Sequence, residues 1–405
     1  MIVGGLIVGL FLPLAVVWGI WLVFAVVAAL PRTGGMQACR LNKDGCLIDI
    51  LIPAHDEELL LPGLLSSLQA QSDGGKERMG TILVVADHCG DATAMVARSL
   101  GAMVLERSTG PRGKPAALRD GLDFLKAQTR NALLVLDADC ICSANYLEKM
   151  ASGLDAGHLV LQSASVLVPE DGKQKAVSPS LLAFALKDFV RPRGMARLGI
   201  PVQLFGTGMC FHPDVIRNGA LYFHDHLAED LALSHELLLR DIPAAFVCSA
   251  MIRSPLPTDA AARSMQKLRW ETGQLQTWRR IPGLLARLVF LRRWRSVIAL
   301  LDWSAPPLAL AVFAWGILTV VVFLLMVWGM VSPWVGLVPF VTIAILAIYV
   351  FVGAMQLVTI GDIGRLVLEV PRFLGWKAAL YGRMLLGRFP VRWQRTPRAA
   401  GKPVG

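Results

Sequence analysis

Charge is scarce in this chain, and unevenly so. Only 17% of its 405 residues are Asp, Glu, Lys or Arg, against about 25% in soluble domains. Residues 1–31 carry no such side chain, and neither do residues 303–361. A deficit of this kind excludes a disordered or polyelectrolyte chain, which is charged and poor in apolar residues. Cysteine is thin as well: seven residues (39, 46, 89, 140, 142, 210 and 248), odd in number and without C-x-x-C spacing. This excludes a disulfide scaffold and predicts reduced, mostly packed thiols. Cys140 and Cys142 lack the second pair that a structural zinc site needs. No internal repeat and no long low-complexity linker is present.

Apolar side chains fill the space that charge leaves. They make up 55% of the chain, concentrated in the two uncharged runs. About 30 residues at ~1.5 Å each cover a ~30 Å hydrocarbon core, so residues 1–31 are expected to be a transmembrane anchor. The run lacks the basic start and short apolar core of a signal peptide. The first cations, Arg32, Arg40 and Lys43, follow the run, so the next domain is expected in the cytoplasm with the N-terminus outside. The second run has 59 residues, about 88 Å as helix and too long for one span. Ser332-Pro333 near its middle offers a break, which makes 303–361 a hairpin of two spans. About three spans in the inner (plasma) membrane are predicted, with Asp302 marking an interface.

The net charge of +10 is local too. Residues 263–295 hold nine Lys/Arg and one acid, residues 362–405 nine and two, and residues 32–262 twenty-two against twenty-six. The basic excess therefore belongs to segments flanking the apolar runs, where cations meet anionic lipid headgroups. A mildly acidic main domain argues against nucleic acid as a partner. Residues 263–300 read as basic interfacial helices. Residues 362–405 read as a basic amphipathic tail, in which Pro371–Trp393 interleaves aromatics and Leu with Lys377, Arg383 and Arg388. That tail is either an interfacial helix or a packed cytoplasmic one.

Residues 47–262 alternate between strand and helix patterns. Leu47–Ile52, Thr81–Ala86, Ala102–Glu106 and Ala132–Leu136 are apolar strand runs; Glu57–Gln71, Asp91–Leu100 and Lys114–Ala127 have helical spacing. The fold class is α/β, with a mostly parallel sheet. Ligands of such sheets bind beyond the carboxyl ends of the strands, and polar clusters lie there: Pro53-Ala54-His55-Asp56-Glu57-Glu58, Asp87-His88-Cys89-Gly90-Asp91 and Asp137-Ala138-Asp139. Asp91 has the position of a helix cap. Two carboxylates two residues apart suit a hard divalent ion, Mg2+ or Mn2+, shared with substrate phosphates. Gly113-Lys114 opens a helix and is either a phosphate-side cation or a solvated turn lysine. Phe205-Gly206-Thr207-Gly208 is a glycine-flexed loop. His226-Leu227-Ala228-Glu229-Asp230 opens an apolar helix through Leu239, where acids favour the N-terminus in any case. His224 and His226 with these acids match no familiar metal-ligand spacing. Gln266-Lys267-Leu268-Arg269-Trp270 lies in the basic segment.

In their order, the Asp87 turn, Asp137-x-Asp139, Glu229-Asp230 and Gln266-x-x-Arg269-Trp270 resemble the membrane-integrated family 2 glycosyltransferases. That group includes hyaluronan, chitin and cellulose synthases and related exopolysaccharide enzymes. The resemblance covers residues 47–300 and implies a GT-A nucleotide-sugar domain using a UDP-sugar. It implies that Pro53, Ala54, Asp56, Glu57 and Asp87 hold the uracil and ribose, with Lys114 near the nucleotide and Asp137 near the ribose or donor sugar. Asp139 would bind the metal and Asp230 would be the general base. Phe205, Gly206, Thr207, Glu229, Gln266, Arg269 and Trp270 would form the acceptor side, with Trp270 stacking on a sugar. Ala228 stands where cellulose synthases commonly have threonine. The residue types suit the chemistry, since a diphosphate leaving group needs cations and an acceptor hydroxyl needs a base. The expected activity is inverting transfer to a growing β-linked glycan. Transfer of one sugar to a membrane lipid (polyprenyl phosphate, ceramide-like or hopanoid) is the first alternative. A non-catalytic nucleotide-sugar sensor in an export complex, with export proteins as partners, is the second.

Overall fold

The computed structural model describes residues 2–31, 45–128, 130–169, 178–256 and 260–386. Arg32, Cys39, Arg40, Lys43 and the tail beyond residue 386, with Arg388 and Trp393, lie outside the described residues. The chain divides into two compact units: Met1–Pro31 with Val177–Ile200 and Val297–Arg388, and the remainder.

The second unit is built on one eight-stranded sheet. Its strands are β1 (Ile48–Ala54), β2 (Met79–Asp87), β3 (Met103–Arg107), β4 (Ala132–Val135), β5 (Ile141–Cys142), β6 (Val160–Pro169), β7 (Met209–Phe211) and β8 (Ala244–Leu256). Their order is β3-β2-β1-β4-β7-β6-β8-β5. The first four pair in parallel, β7 runs antiparallel between β4 and β6, and β6 and β8 pair in parallel. This is the expected α/β sheet, mostly parallel. Strands buried on both faces must be apolar throughout. Accordingly Ile48, Ile50, Leu51, Ile52, Leu83, Val84, Val85 and Leu134 are all fully enclosed. The helix Lys114–Lys126 lies so close over β1 and β2 that a Cβ on Gly121 would meet Val85 at 2.8 Å. Successive strands leave β1 toward β2 on one side and β4 on the other, so the sheet's order reverses at β1. The crevice beyond that reversal is where doubly wound sheets bind ligands.

Among the described residues, the first unit contains three helices long and apolar enough to cross a membrane, Gly4–Ala29, Leu308–Val327 and Pro333–Ala354. A short 3-10 turn at Pro333–Gly336 follows Ser332, at the break that proline predicted. Residues 178–200 interrupt the even α/β pattern expected of 47–262. They form two short helices, Pro179–Ala185 and Arg191–Arg197, joined by a π-helical turn at Leu186–Val190. Leu182, Leu186 and Val190 bury against Trp18, Trp21, Ala25 and Tyr349. Gly194 touches the backbone of Phe24, where any side chain would collide. Asp302 is 8% exposed and accepts a 2.8 Å bond from Arg191, whose guanidinium lies 4.4 Å from the Trp21 ring centre. Spacing along the chain gives no hint of this partner, which is 111 residues away. The amphipathic C-terminal helix runs Ile360–Leu385 and carries Pro371 inside it.

Candidate active site

The carboxyl ends of β1 and β2 are tied together by their own loops. His55 Nδ1 lies 2.6 Å from the Asp87 carbonyl oxygen, and the Gly90 N–H donates to Asp56 at 2.6 Å. The Glu57 N–H donates to Thr93 and the Glu58 N–H to Asp91. Asp91 accepts the Thr93 N–H at 2.9 Å, but it stands one position before the N-cap of the helix Thr93–Ser99, which is Ala92 and not the expected Asp91. Asp56 and His88 both adopt left-handed backbone, with φ of 54° and 53°. This conformation turns each chain sharply back over the sheet edge, and Asp tolerates it better than most residues.

Asp87 is buried (4% exposed) and fully engaged within the protein. One oxygen meets Arg107, at the end of β3, and His88; the other accepts the Gly113 N–H at 2.8 Å. Gly113 has a φ of 116° and opens the helix that begins with Lys114. Asp87 therefore builds the turn that presents Lys114.

Lys114 is the centre of the site. Its ammonium donates to Asp137 at 2.6 Å and to the Gly206 carbonyl at 2.8 Å, and Glu229 lies 3.7 Å away. Burial alone would favour the neutral amine. The carboxylates of Asp137, Glu229 and Asp230 outweigh it and hold the lysine above its ordinary pKa. Glu229 is pushed up to about 7, chiefly by burial, with Lys114 opposing and Asp230 reinforcing. Glu229 and Asp230 begin the helix Glu229–Leu239, and the Asp230 carboxylate accepts the Leu231 N–H. A Cβ on Gly206, whose φ is 80°, would lie 3.3 Å from both Asp230 Oδ2 and Lys114 Nζ. Glycine there lets the loop pass close to both the carboxylate and the cation.

The Phe205–Gly208 loop is clamped from the sheet. Gln162, fully buried on β6, accepts the Phe205 N–H at 3.0 Å and donates to the Thr207 carbonyl at 2.9 Å. Thr207 Oγ1 accepts the Asp137 N–H at 3.1 Å and lies 3.4 Å from the Cys140 thiol. Asp137 and Asp139 flank the turn after β4, both half-buried. Two hard carboxylates on an open turn fit Mg2+ or Mn2+, which are commonly held by one or two carboxylates and completed by substrate phosphates and water. Cys140 is buried, its thiol 3.4 Å from Thr207 and 3.2 Å from Ser254 and pushed well up by burial, which is the setting of a packed thiol.

Gln266, Arg269 and Trp270 lie half-buried on the helix Ala260–Thr277. Gly273, one turn after Arg269, packs on Leu227 and Ala228, directly before Glu229. The helix is thereby set beside the start of the Glu229-Asp230 helix, and Lys267 lies 5.7 Å over the Trp270 ring. Pro53 and Ala54 are strand residues at the end of β1. The fold thus brings Lys114, Asp137, Gly206, Thr207, Glu229 and Asp230 into one cluster, while Asp56 sits in the neighbouring loop after β1 and Asp87 ends β2. Sequence reading missed Arg107 and Gln162. A polar residue in the apolar run of β6 was the available signal for Gln162; a charged residue closing β3 was an ordinary strand end.

The fold has a counterpart among solved structures. A mannosyltransferase from Pyrobaculum calidifontis, in complex with GDP-Man and Mn2+, is 13% identical, with a TM-score of 0.50 over 86% of this chain and 98% of that one. TarS from S. aureus is 17% identical, with a TM-score of 0.42 over 61% of this chain and 43% of that one. Comparison with curated proteins gives no match. The family described as "Glycosyltransferase like family 2" matches residues 47–273, more than half of the chain. The match spans β1 through the Gln266–Trp270 element, with a GT-A-like fold to carry it. The chain therefore belongs to this family and is a glycosyltransferase.

Proposed function

We propose that the protein is an inverting, divalent-metal-dependent transferase that moves a sugar from a UDP-sugar to a growing β-linked glycan. The observation that carries this reading is the charge balance around Lys114: one ammonium among the carboxylates of Asp137, Glu229 and Asp230, with Asp139 two residues from Asp137. Carboxylates crowded at a sheet edge are costly without further cations. A metal–diphosphate ligand would relieve that crowding. A bound Mg2+ or Mn2+ would offset charge on the departing diphosphate. The solved structure of the mannosyltransferase pairs a nucleotide-sugar with Mn2+, which is the ligand combination this reading requires.

In this reading Pro53, Ala54, Asp56 and Glu57 receive the nucleotide, and Asp87 acts through the Gly113 turn. Asp137 and Lys114 face the donor sugar and diphosphate, and Asp139 holds the metal. Asp230 takes the proton of the acceptor hydroxyl as that oxygen attacks the anomeric carbon and the bond to the diphosphate breaks. Phe205, Gly206, Thr207 and Glu229 shape the acceptor side. Gln266, Arg269 and Trp270 close it, Arg269 steadying the diphosphate and Trp270 stacking on a sugar ring. The enzyme would be a multi-pass protein of the plasma membrane with its catalytic unit in the cytoplasm. The three span-length helices favour a second reading, transfer of a single sugar to a membrane lipid.

Membranes carrying the full chain, given labelled UDP- and GDP-sugars with Mg2+, Mn2+ or a chelator, test this directly. The expected result is metal-dependent consumption of one UDP-sugar and a ladder of products. One glycolipid species would favour the second reading, use of GDP-sugars alone would overturn the donor assignment, and no turnover of any donor would favour a sensor.

A further inference from the structure

Beside the proposed hard-cation site lies a different set of ligand atoms. His55, Asp56 and Cys89, from the loops after β1 and β2, each offer one ligand atom, and these atoms all lie within 4.8 Å of one another. We propose that this trio is a second metal site, selective for a borderline transition-metal ion of the zinc class and distinct from Asp139.

Three features support it. First, the ligands are imidazole, carboxylate and thiol, a donor set that suits zinc-class ions and not Mg2+. Second, the spacing is close to that of a metal polyhedron. Bonds of about 2.1 Å at tetrahedral angles place ligand atoms roughly 3.4 Å apart, and His55 Nε2 already lies 3.8 Å from Asp56 Oδ2. Third, the atoms that do not ligate are anchored. His55 Nδ1 is 2.6 Å from the Asp87 carbonyl, which favours the tautomer with its proton there and the lone pair on Nε2. The other Asp56 oxygen accepts the Gly90 N–H at 2.6 Å. Outer-shell bonds of this kind orient metal ligands and fix the histidine tautomer. The Cys89 thiol lies 3.6 Å from the Ala54 carbonyl and is held above its ordinary pKa by burial. It would bind as thiolate, releasing its proton to solvent as the metal–sulfur bond forms. Water would complete a tetrahedron. All three residues are half-buried, so the site is reachable from solvent.

Co2+ is the probe, because a cobalt–thiolate bond has its own charge-transfer absorption. Purified full-length protein without an affinity tag, titrated with Co2+, is expected to show that band at one equivalent, with Zn2+ displacing it and Mg2+ not. Cys89→Ser should abolish the band, and His55→Gln should weaken binding at least about tenfold, the scale found for losing even an outer-shell partner. Asp139→Asn should leave it intact. Zn2+ should also protect Cys89 of the wild type from alkylation, read by mass spectrometry, which needs no variant to fold. No band, a band that survives Cys89→Ser, or equal alkylation with and without Zn2+ would each overturn the proposal. UDP provides a separate test. Because Asp56 is also proposed to receive the nucleotide, UDP should displace the cobalt band. A band indifferent to UDP would leave the metal site standing and count against the nucleotide placement instead.

Discussion

The two units each bury a cation against carboxylates, and they do it differently. In the unit with the long apolar helices, Arg191 meets one close partner, Asp302, both under 10% exposed, with the Trp21 ring beneath the guanidinium. Buried Asp188 also pulls on Arg191, and Lys187 lies 3.8 Å from Asp188, so the charges balance two against two and the pair itself is closed. In the sheet unit, Lys114 meets Asp137 and Glu229, with Asp230 also pulling on its charge. That cluster carries excess negative charge, and Asp137 remains about one-third exposed. A closed neutral pair specifies structure, whereas an open imbalance leaves work for a ligand.

The contrast is broken or sharpened by opposite signatures. Asp230→Asn should lower kcat by about 10²–10⁴, the usual contribution of a positioned base, and leave the unfolding midpoint nearly unchanged. Turnover at the wild-type rate would remove Asp230 from the mechanism. Asp302→Leu should do the reverse. It strands a buried guanidinium, a change that typically costs about 3–5 kcal/mol, and adding Arg191→Met should recover most of the loss, since apolar replacement of both partners is often neutral. Thermal unfolding in detergent reads both. A double variant no more stable than the single one would show that Arg191 does more than pair with Asp302.

The same contrast marks what could be read from the chain alone. Four apolar runs, three of them ending in polar clusters, announced β1–β4 and the edge they serve, because parallel strands must be apolar and their ligands lie beyond the carboxyl ends. Lys114, Asp137, Glu229 and Asp230 were legible by residue type and order. Their convergence was not, since it depends on Gln162 holding the Phe205–Gly208 loop over the strand ends and on glycine at 206. The Arg191–Asp302 pair was invisible, because residues 178–200 look like any amphipathic loop-and-helix stretch until Trp21 and Tyr349 are placed beside them. Antiparallel β7, three residues long, is too short to have a period.

The smallest effect expected is the most discriminating. Glu229 is held at about 7 against an ordinary 4.5, mainly by burial, so between these values the folded protein binds a proton that the unfolded chain has lost. Stability must then fall as pH rises through that window, the reverse of a carboxylate whose pKa folding lowers. A tenfold difference in proton affinity between the folded and unfolded chain is worth about 1.4 kcal/mol, and on the order of 2 kcal/mol should be lost between about pH 5 and pH 8. Glu229→Gln cannot ionise. Removing a counter-charge from Lys114 changes its stability by a roughly constant amount, but the decline with pH should flatten. Unfolding midpoints of both proteins across that pH range separate the two contributions. Parallel curves would mean that Lys114 keeps Glu229 ionised throughout, and that the site is nearer to charge balance before any ligand arrives than the contrast with Arg191 implies.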